Sequence, residues 1–415
     1  MLLEKWEKRQ LTGLLLLTIV LFSFFDFIPI KRMLIVKFFA MGMVAYMIFS
    51  SYSEVLFDNS NSFSRIVRVL LVSVLISMIS SLAFWGQSLL LSFRISYQIL
   101  AYAFFFYLIK KNVSIHVVER YIIFIAGIYV LLWLLAQFMN PLPLFGRFDD
   151  GEGDIYYDEE KIGKRGFPRI IFVGSYLMPL AFFFCLNKYR MLRQKIYLFL
   201  MTFFAPAIFL TLTRGMIIGS IVACLYYFVR RYRVFLLILL VAGILGYSSG
   251  LKLNEDSIFG KLYSETEKQA GETQQGNKDI RIQEYIYYFT NFSPNIITDI
   301  IGSGIPHSES AYGKYDYHLA HTYHLYLSDV GFAYIYVTMG GFGLLLFLLI
   351  FIKSFRVTIP PQFEYTKLFI IYVAINNISA APLLSRDGVI GLCACLYILG
   401  NQEIREDNSA QLNAA

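Results

Sequence analysis

The chain has 415 residues, of which 57% are hydrophobic and only 16% charged. Its apolar residues come in blocks of about 17 to 25, the length that crosses about 30 Å of hydrocarbon at 1.5 Å per residue, which excludes a soluble globular fold. The net charge of +7 does not point to nucleic acid, because Lys and Arg punctuate the apolar blocks rather than cluster on one soluble face.

The expected fold is therefore an all-α integral membrane protein with about twelve transmembrane helices. Taken in order, these cover about 11–30, 33–50, 66–84, 93–109, 117–139, 168–187, 196–212, 215–230, 233–250, 330–352, 366–384 and 388–400. The polar head from Glu4 to Gln10 is followed by no small-residue cleavage pattern, so the first block reads as a retained helix. The 37 residues from Lys195 to Arg231 exceed one span, and Thr213-Arg214-Gly215 reads as a tight turn between two helices. The organisation that follows is 1–139 for the first five helices, 140–167 for an outer loop and 168–250 for the next four. A large loop takes 251–329, the last three helices 330–400, and a cytoplasmic tail 401–415.

Orientation comes from the Lys and Arg distribution. An inside N-terminus places Lys110, Lys111, Lys188, Arg190, Arg193, Lys195, Arg230, Arg231, Arg233, Lys353 and Arg356 in the cytoplasm. Both termini are then cytoplasmic and the two long loops lie outside. All four cysteines, Cys185, Cys224, Cys393 and Cys395, fall in apolar segments, so no disulfide framework or thiolate metal site is implied. Charges inside the blocks are few, with Asp26 and Lys37 near block ends, and no internal repeat is visible.

Within the large outer loop, Ile282, Tyr285, Ile286 and Phe289 have helical spacing, with Asp279 as N-cap, so one face can lie on the protein or on the membrane interface. Gly302-Ser303-Gly304 breaks the chain. Pro306 prevents an early restart, and a second helix is predicted from about 318 into the tenth span.

Four of the five histidines, His307, His318, His321 and His324, lie in this loop. Imidazole accepts a proton from an alcohol near neutral pH, which lysine and arginine do not readily do. His318, His321 and His324 step by three, so on a helix each turns about 60° from the last and they cannot share one cavity. A metal site is disfavoured, since helical ligands on one face prefer a four-residue step and no outer carboxylate stands at ligand spacing. Two readings stay open: a single catalytic histidine among them, or interfacial histidines bonded to solvent. Arg165, Arg169, Arg214 and Arg281 lie on the same side, and guanidinium groups gathered there form a receptor suited to a diphosphate. The competing readings are headgroup binding for Arg165 and Arg169, capping or snorkelling for Arg214, and a surface pair with Glu284 for Arg281.

Five stretches in this order carry a likeness: Arg165-Gly166-Phe167, Leu210 to Gly215, Arg281 with Tyr285, Ile301-Gly302-Ser303-Gly304, and His321-Thr322 ahead of Asp329-Val330-Gly331. The chain resembles the O-antigen polymerase and O-antigen ligase superfamily of membrane glycosyltransferases over about residues 163–352. The resemblance implies a GT-C-like arrangement and a glycan transfer from an undecaprenyl-diphosphate-linked oligosaccharide at the outer face of the bacterial inner membrane. It implies no cofactor, no metal and no nucleotide sugar, and partners in the lipid bilayer and in a chain-length regulator and flippase of the same pathway. Carried over by position, Arg214 and Arg281 bind the diphosphate, Arg165 lines the same cavity and His321 activates the acceptor hydroxyl. The family's histidine pair runs through nine residues to a glycine, whereas His321-Thr322 reaches Gly331 after eight. His324 and His318 therefore remain alternates. That departure favours the polymerase, which extends another lipid-linked repeat unit, over the ligase, which transfers to lipid A core. A reading from another class is a lipid-linked glycan flippase, which calls for inverted repeats or mid-span charges.

Overall fold

The computed structural model describes residues 4–24, 33–138, 156–157, 170–211, 213–229 and 280–414. These are helical throughout, apart from turns and one two-residue antiparallel pairing, β1 (Tyr156–Tyr157) with β2 (Ile170–Ile171). The helices are α1 Lys5–Leu21, α2 Met33–Ser50, α3 Tyr52–Phe57, α4 Ser64–Trp85, α5 Leu89–Leu100, α6 Ala103–Lys110, α7 Ile115–Phe138, α8 Leu177–Leu192, α9 Lys195–Leu210 and α10 Arg214–Val229. Beyond residue 279 come α11 Ile280–Thr290, α12 Ile296–Ile301, α13 Ala311–Tyr323, α14 Gly331–Arg356, α15 Glu364–Asn376 and α16 Arg386–Ala414.

Twelve full-length spans are not what the chain builds among the described residues. Three helices, α4, α7 and α14, are long and apolar enough to cross a membrane, and a fourth span is reached if α5 and α6, bent by 56° at their junction, are one broken segment. The remaining apolar blocks are cut short. Helices α8, α9 and α10 have 16 residues each, roughly 24 Å of rise against about 30 Å of hydrocarbon. Helix α1 opens with Lys5, Glu7, Lys8 and Arg9, and α15 ends after 13 residues at Asn376. The predicted ninth span, 233–250, lies outside the described residues. The predicted tail 401–415 continues α16 to Ala414.

Two apolar regions hold the fold. In the larger, α8 packs on α7, α9 and α15, α10 lies along α15, and α4 packs on α5 and α14. Outward, α4 exposes Leu75, Ile76, Ile79 and Leu82, and α14 exposes Phe342, Leu345, Leu348 and Leu349. Apolar belts of this extent suit hydrocarbon rather than water.

Two sets of charged side chains tie helix ends together, and they were not evident as such in the sequence. Asp387 accepts from the backbone of Gly174 (2.8 Å) and Tyr176 (3.1 Å) ahead of α8, while its neighbour Arg386 donates to Leu21 O (2.8 Å) at the end of α1. Glu119 pairs with Lys188 at 2.7 Å and accepts from the Tyr365 hydroxyl. All four charges sit within two turns of a helix end, where water and free backbone groups are near.

The smaller region is a separate lobe: Tyr288, Phe292, Tyr312, Leu319, Leu325, Leu327, Val330, Ala333 and Val337. A break in α14 anchors it. Gly340 takes φ +68, closed to side chains with a Cβ. Val337 O and Thr338 O, freed from the helix ladder, accept instead from Ser303 N (2.7 Å) and Gly304 N (3.1 Å). The Ser80 hydroxyl of α4 donates to Gly302 O at 2.6 Å. The expected break at Gly302-Ser303-Gly304 thus serves as a strap that stitches the lobe to α4 and α14.

Candidate active site

Helix α11 carries Arg281, and its buried face is not the one its periodicity suggests. Ile282, Ile286 and Phe289 are exposed, whereas Glu284 and Tyr288 are buried. Glu284 is buried rather than at the surface, and its Oε1 accepts from Tyr326 N at 2.8 Å. The Tyr288 hydroxyl donates to Leu325 O at 2.9 Å. These two bonds pin residues 325 and 326, immediately after the histidine helix, to α11. Asp279, the expected N-cap, lies outside the described residues.

Helix α11 also meets the turn after α15, where the Tyr285 hydroxyl donates to Ile378 O at 2.9 Å. Gly215 is pressed against Asn376 and Ser379 of the same turn, with no space for a Cβ. The corner Thr213-Arg214-Gly215 and the helix of Arg281 therefore meet at one structural element, the 376–379 turn. Arg214 is half-buried and Arg281 exposed. Arg165 and Arg169 lie outside the described residues.

Helix α13 differs from the helix predicted from about 318 into the tenth span. It begins earlier, because the Ser310 hydroxyl caps Gly313 N (2.9 Å), and it stops at Tyr323. There His324 turns left-handed (φ +56) and Leu325 N returns to Leu319 O at 3.3 Å. Leu319 and Leu325 are both buried, the apolar contact that commonly closes such helix ends.

This geometry separates the four histidines. The His321 ring is exposed and stacks on Tyr317, with centroids 3.7 Å apart, and its Nδ1 stands 3.0 Å from Tyr317 O. A carbonyl oxygen only accepts, so in the neutral ring Nδ1 carries the proton and Nε2 presents a lone pair, the form a general base needs. His318 Nδ1 faces the Thr322 hydroxyl at 3.1 Å, a partner that can donate or accept, so its tautomer is not fixed in this way. His324 is the helix terminator. His307 is buried away from them: its backbone N–H donates to Gln87 Oε1 (2.9 Å), and its Nδ1 accepts from Glu309 N (3.2 Å).

Beneath α13, Asp316 is held among Tyr288, Tyr312 and Tyr334, and burial pushes its carboxyl up to about 6. Asp316 did not stand out in the sequence, since it looks like an ordinary loop acid, and Glu284 did so only as a surface partner for Arg281. The 376–379 turn did leave a signal, the pair Asn376-Asn377 inside an apolar block. Among the described residues no three His, Cys, Asp or Glu side chains stand together as metal ligands do.

The chain matches no family model and no curated protein in comparisons with known proteins.

Proposed function

We propose that this protein is a multi-spanning polysaccharide polymerase of the O-antigen or capsule type, embedded in the bacterial inner membrane with both termini cytoplasmic and its site on the outer face. It transfers glycan from a polyprenyl diphosphate to the hydroxyl of another lipid-linked repeat unit. The observation that carries this reading is the fixed tautomer of His321 on a helix end that is pinned, through Leu325 and Tyr326, to the helix bearing Arg281. The exposed apolar belts of α4 and α14 support the membrane setting.

In the reaction, Nε2 of His321 takes the acceptor hydroxyl proton as that oxygen bonds to the anomeric carbon. The bond from that carbon to the diphosphate oxygen breaks, and the electron pair leaves with the diphosphate. Guanidinium groups at Arg214 and Arg281 stabilise the charge that builds there, so a good leaving group and one base suffice. Direct displacement inverts the anomeric centre. Arg165 lines the same cavity in this reading.

The test is incubation of the purified protein with its lipid-diphosphate repeat unit, without metal or nucleotide sugar, followed by size analysis. A ladder of products is expected. Transfer only to added lipid A core means a ligase instead, and unchanged substrate contradicts the transferase reading altogether.

A further inference from the structure

At the end of the bundle opposite the candidate site, a half-open cavity of about 600 Å³ lies between the starts of α1 and α7 and the middle of α16. Its walls carry Asn112, His116, Gln362, Asn401 and Gln402, with Trp6, Phe363 and Tyr397 as aromatic surface. Among the described residues no Lys, Arg, Asp or Glu lines it. Carboxamides offer donors and acceptors side by side without charge, the pairing that hydroxyl groups require. An apolar wall with a few convergent polar groups is also the usual make-up of a small-molecule site.

One wall residue is left with an unmet need. Gln402 is 5% exposed, and its Nε2 has no hydrogen-bond partner. Buried amide nitrogens are nearly always bonded, so this one marks a place where a partner belongs. The last torsion of a glutamine is soft, and a swing of the terminal amide presents the N–H to a ligand in the cavity. His116 on the wall is mostly exposed and has Glu119 behind it, Nδ1 to Oε2 3.7 Å. Asn401 is held from outside the cavity by the Asn61 amide, which donates to its Oδ1 at 3.3 Å.

From these features we infer a second binding site, separate from the outer-face chemistry, for an uncharged polyhydroxylated group such as a sugar. That chemistry arrives either as a free sugar or as the head of a glycolipid, because the cavity opens where helix ends meet water. Anions are disfavoured as ligands, since neither Lys nor Arg lines it among the described residues.

The experiment is saturation-transfer NMR on the full chain in phosphatidylcholine nanodiscs, with methyl β-glucoside and octyl β-glucoside as probes and inorganic phosphate as the charged control. Saturable binding of both glucosides is expected for a free-sugar site, and of octyl β-glucoside alone for a glycolipid-head site. Gln402→Leu should weaken it roughly five- to tenfold, the worth of one hydrogen bond. His116→Ala, at an exposed position that tolerates change, should weaken it similarly in a folded protein. No saturable glucoside binding, wild-type affinity in both variants, or competition by phosphate would each overturn the inference.

Discussion

His321 stacks face to face on Tyr317 one turn earlier in α13, and the same residue's carbonyl oxygen holds its Nδ1. Tyr317 thus sets both the tilt of the imidazole and which nitrogen carries the proton. Replacing the ring removes the first and leaves the second. Tyr317→Ala should lower the polymerisation rate about tenfold through loss of orientation, with donor affinity unchanged. Turnover and donor titration on the purified variant separate the two, and a loss confined to donor affinity would reassign Tyr317 to binding.

His324 occupies the left-handed position that ends α13, a conformation that costs a residue with a Cβ roughly 1 kcal/mol. Glycine has no such penalty. His324→Gly should therefore retain polymerisation and stabilise the lobe by about 0.5–1 kcal/mol. Hydrogen exchange at the end of α13 and a polymerisation assay read the two effects. Loss of activity in a stabilised protein would transfer the base role to His324.

Asp316 gives the lobe a pH dependence of known sign. Its folded-state carboxyl is raised to about 6 by burial, above its ordinary value of 3.8. A carboxyl raised in this way imposes no cost well below its ordinary value, where it is protonated in both folded and unfolded chains. Its penalty grows as pH rises from that value to about 6 and levels off above. Asp316→Asn should stabilise the lobe by about 2 kcal/mol at pH 7.5 and leave it unchanged at pH ~2.5. Hydrogen exchange over residues 280–330 at both pH values reads this, and equal gains at both would remove the titration from the explanation.

Arg281 stands exposed beside a helix that the lobe holds rigidly. For a charge-assisted phosphate contact, Arg281→Ala should weaken donor binding by about 10- to 100-fold. Arg281→Lys should recover part of it, as a point charge replaces a fork. Lys278→Ala, three residues earlier, is the control. An equal loss there would mean diffuse surface charge rather than a defined receptor.

Much of this architecture was legible in the sequence. The corner at Thr213-Arg214-Gly215 and the break at Gly302-Ser303-Gly304 follow from residue type and spacing. Helix lengths did not, because a hydropathy block records how apolar a stretch is and not where its hydrogen-bond ladder stops. The ladder stops at Asn376, bends between α5 and α6, and breaks at Gly340 inside an otherwise unbroken apolar run. The orientation of α11 was misleading for a related reason. In water its apolar stripe, Ile282, Ile286 and Phe289, would mark the core side. Here the stripe faces outward, and the core side is set by partners for Glu284 and Tyr288 at Leu325 and Tyr326, over forty residues away in sequence for one of them. Long-range pairings of that kind leave no local pattern.

The central claim is that His321 is the base of a glycan transfer, and one comparison tests it most directly. Purified wild-type protein and His321→Ala are given the same lipid-diphosphate repeat unit, and polymer length and donor binding are both measured. The expected result is a ladder from the wild type and none from His321→Ala, with donor affinity within about twofold, since the imidazole acts on the acceptor proton and not on the diphosphate. Wild-type-length polymer from His321→Ala would contradict the account.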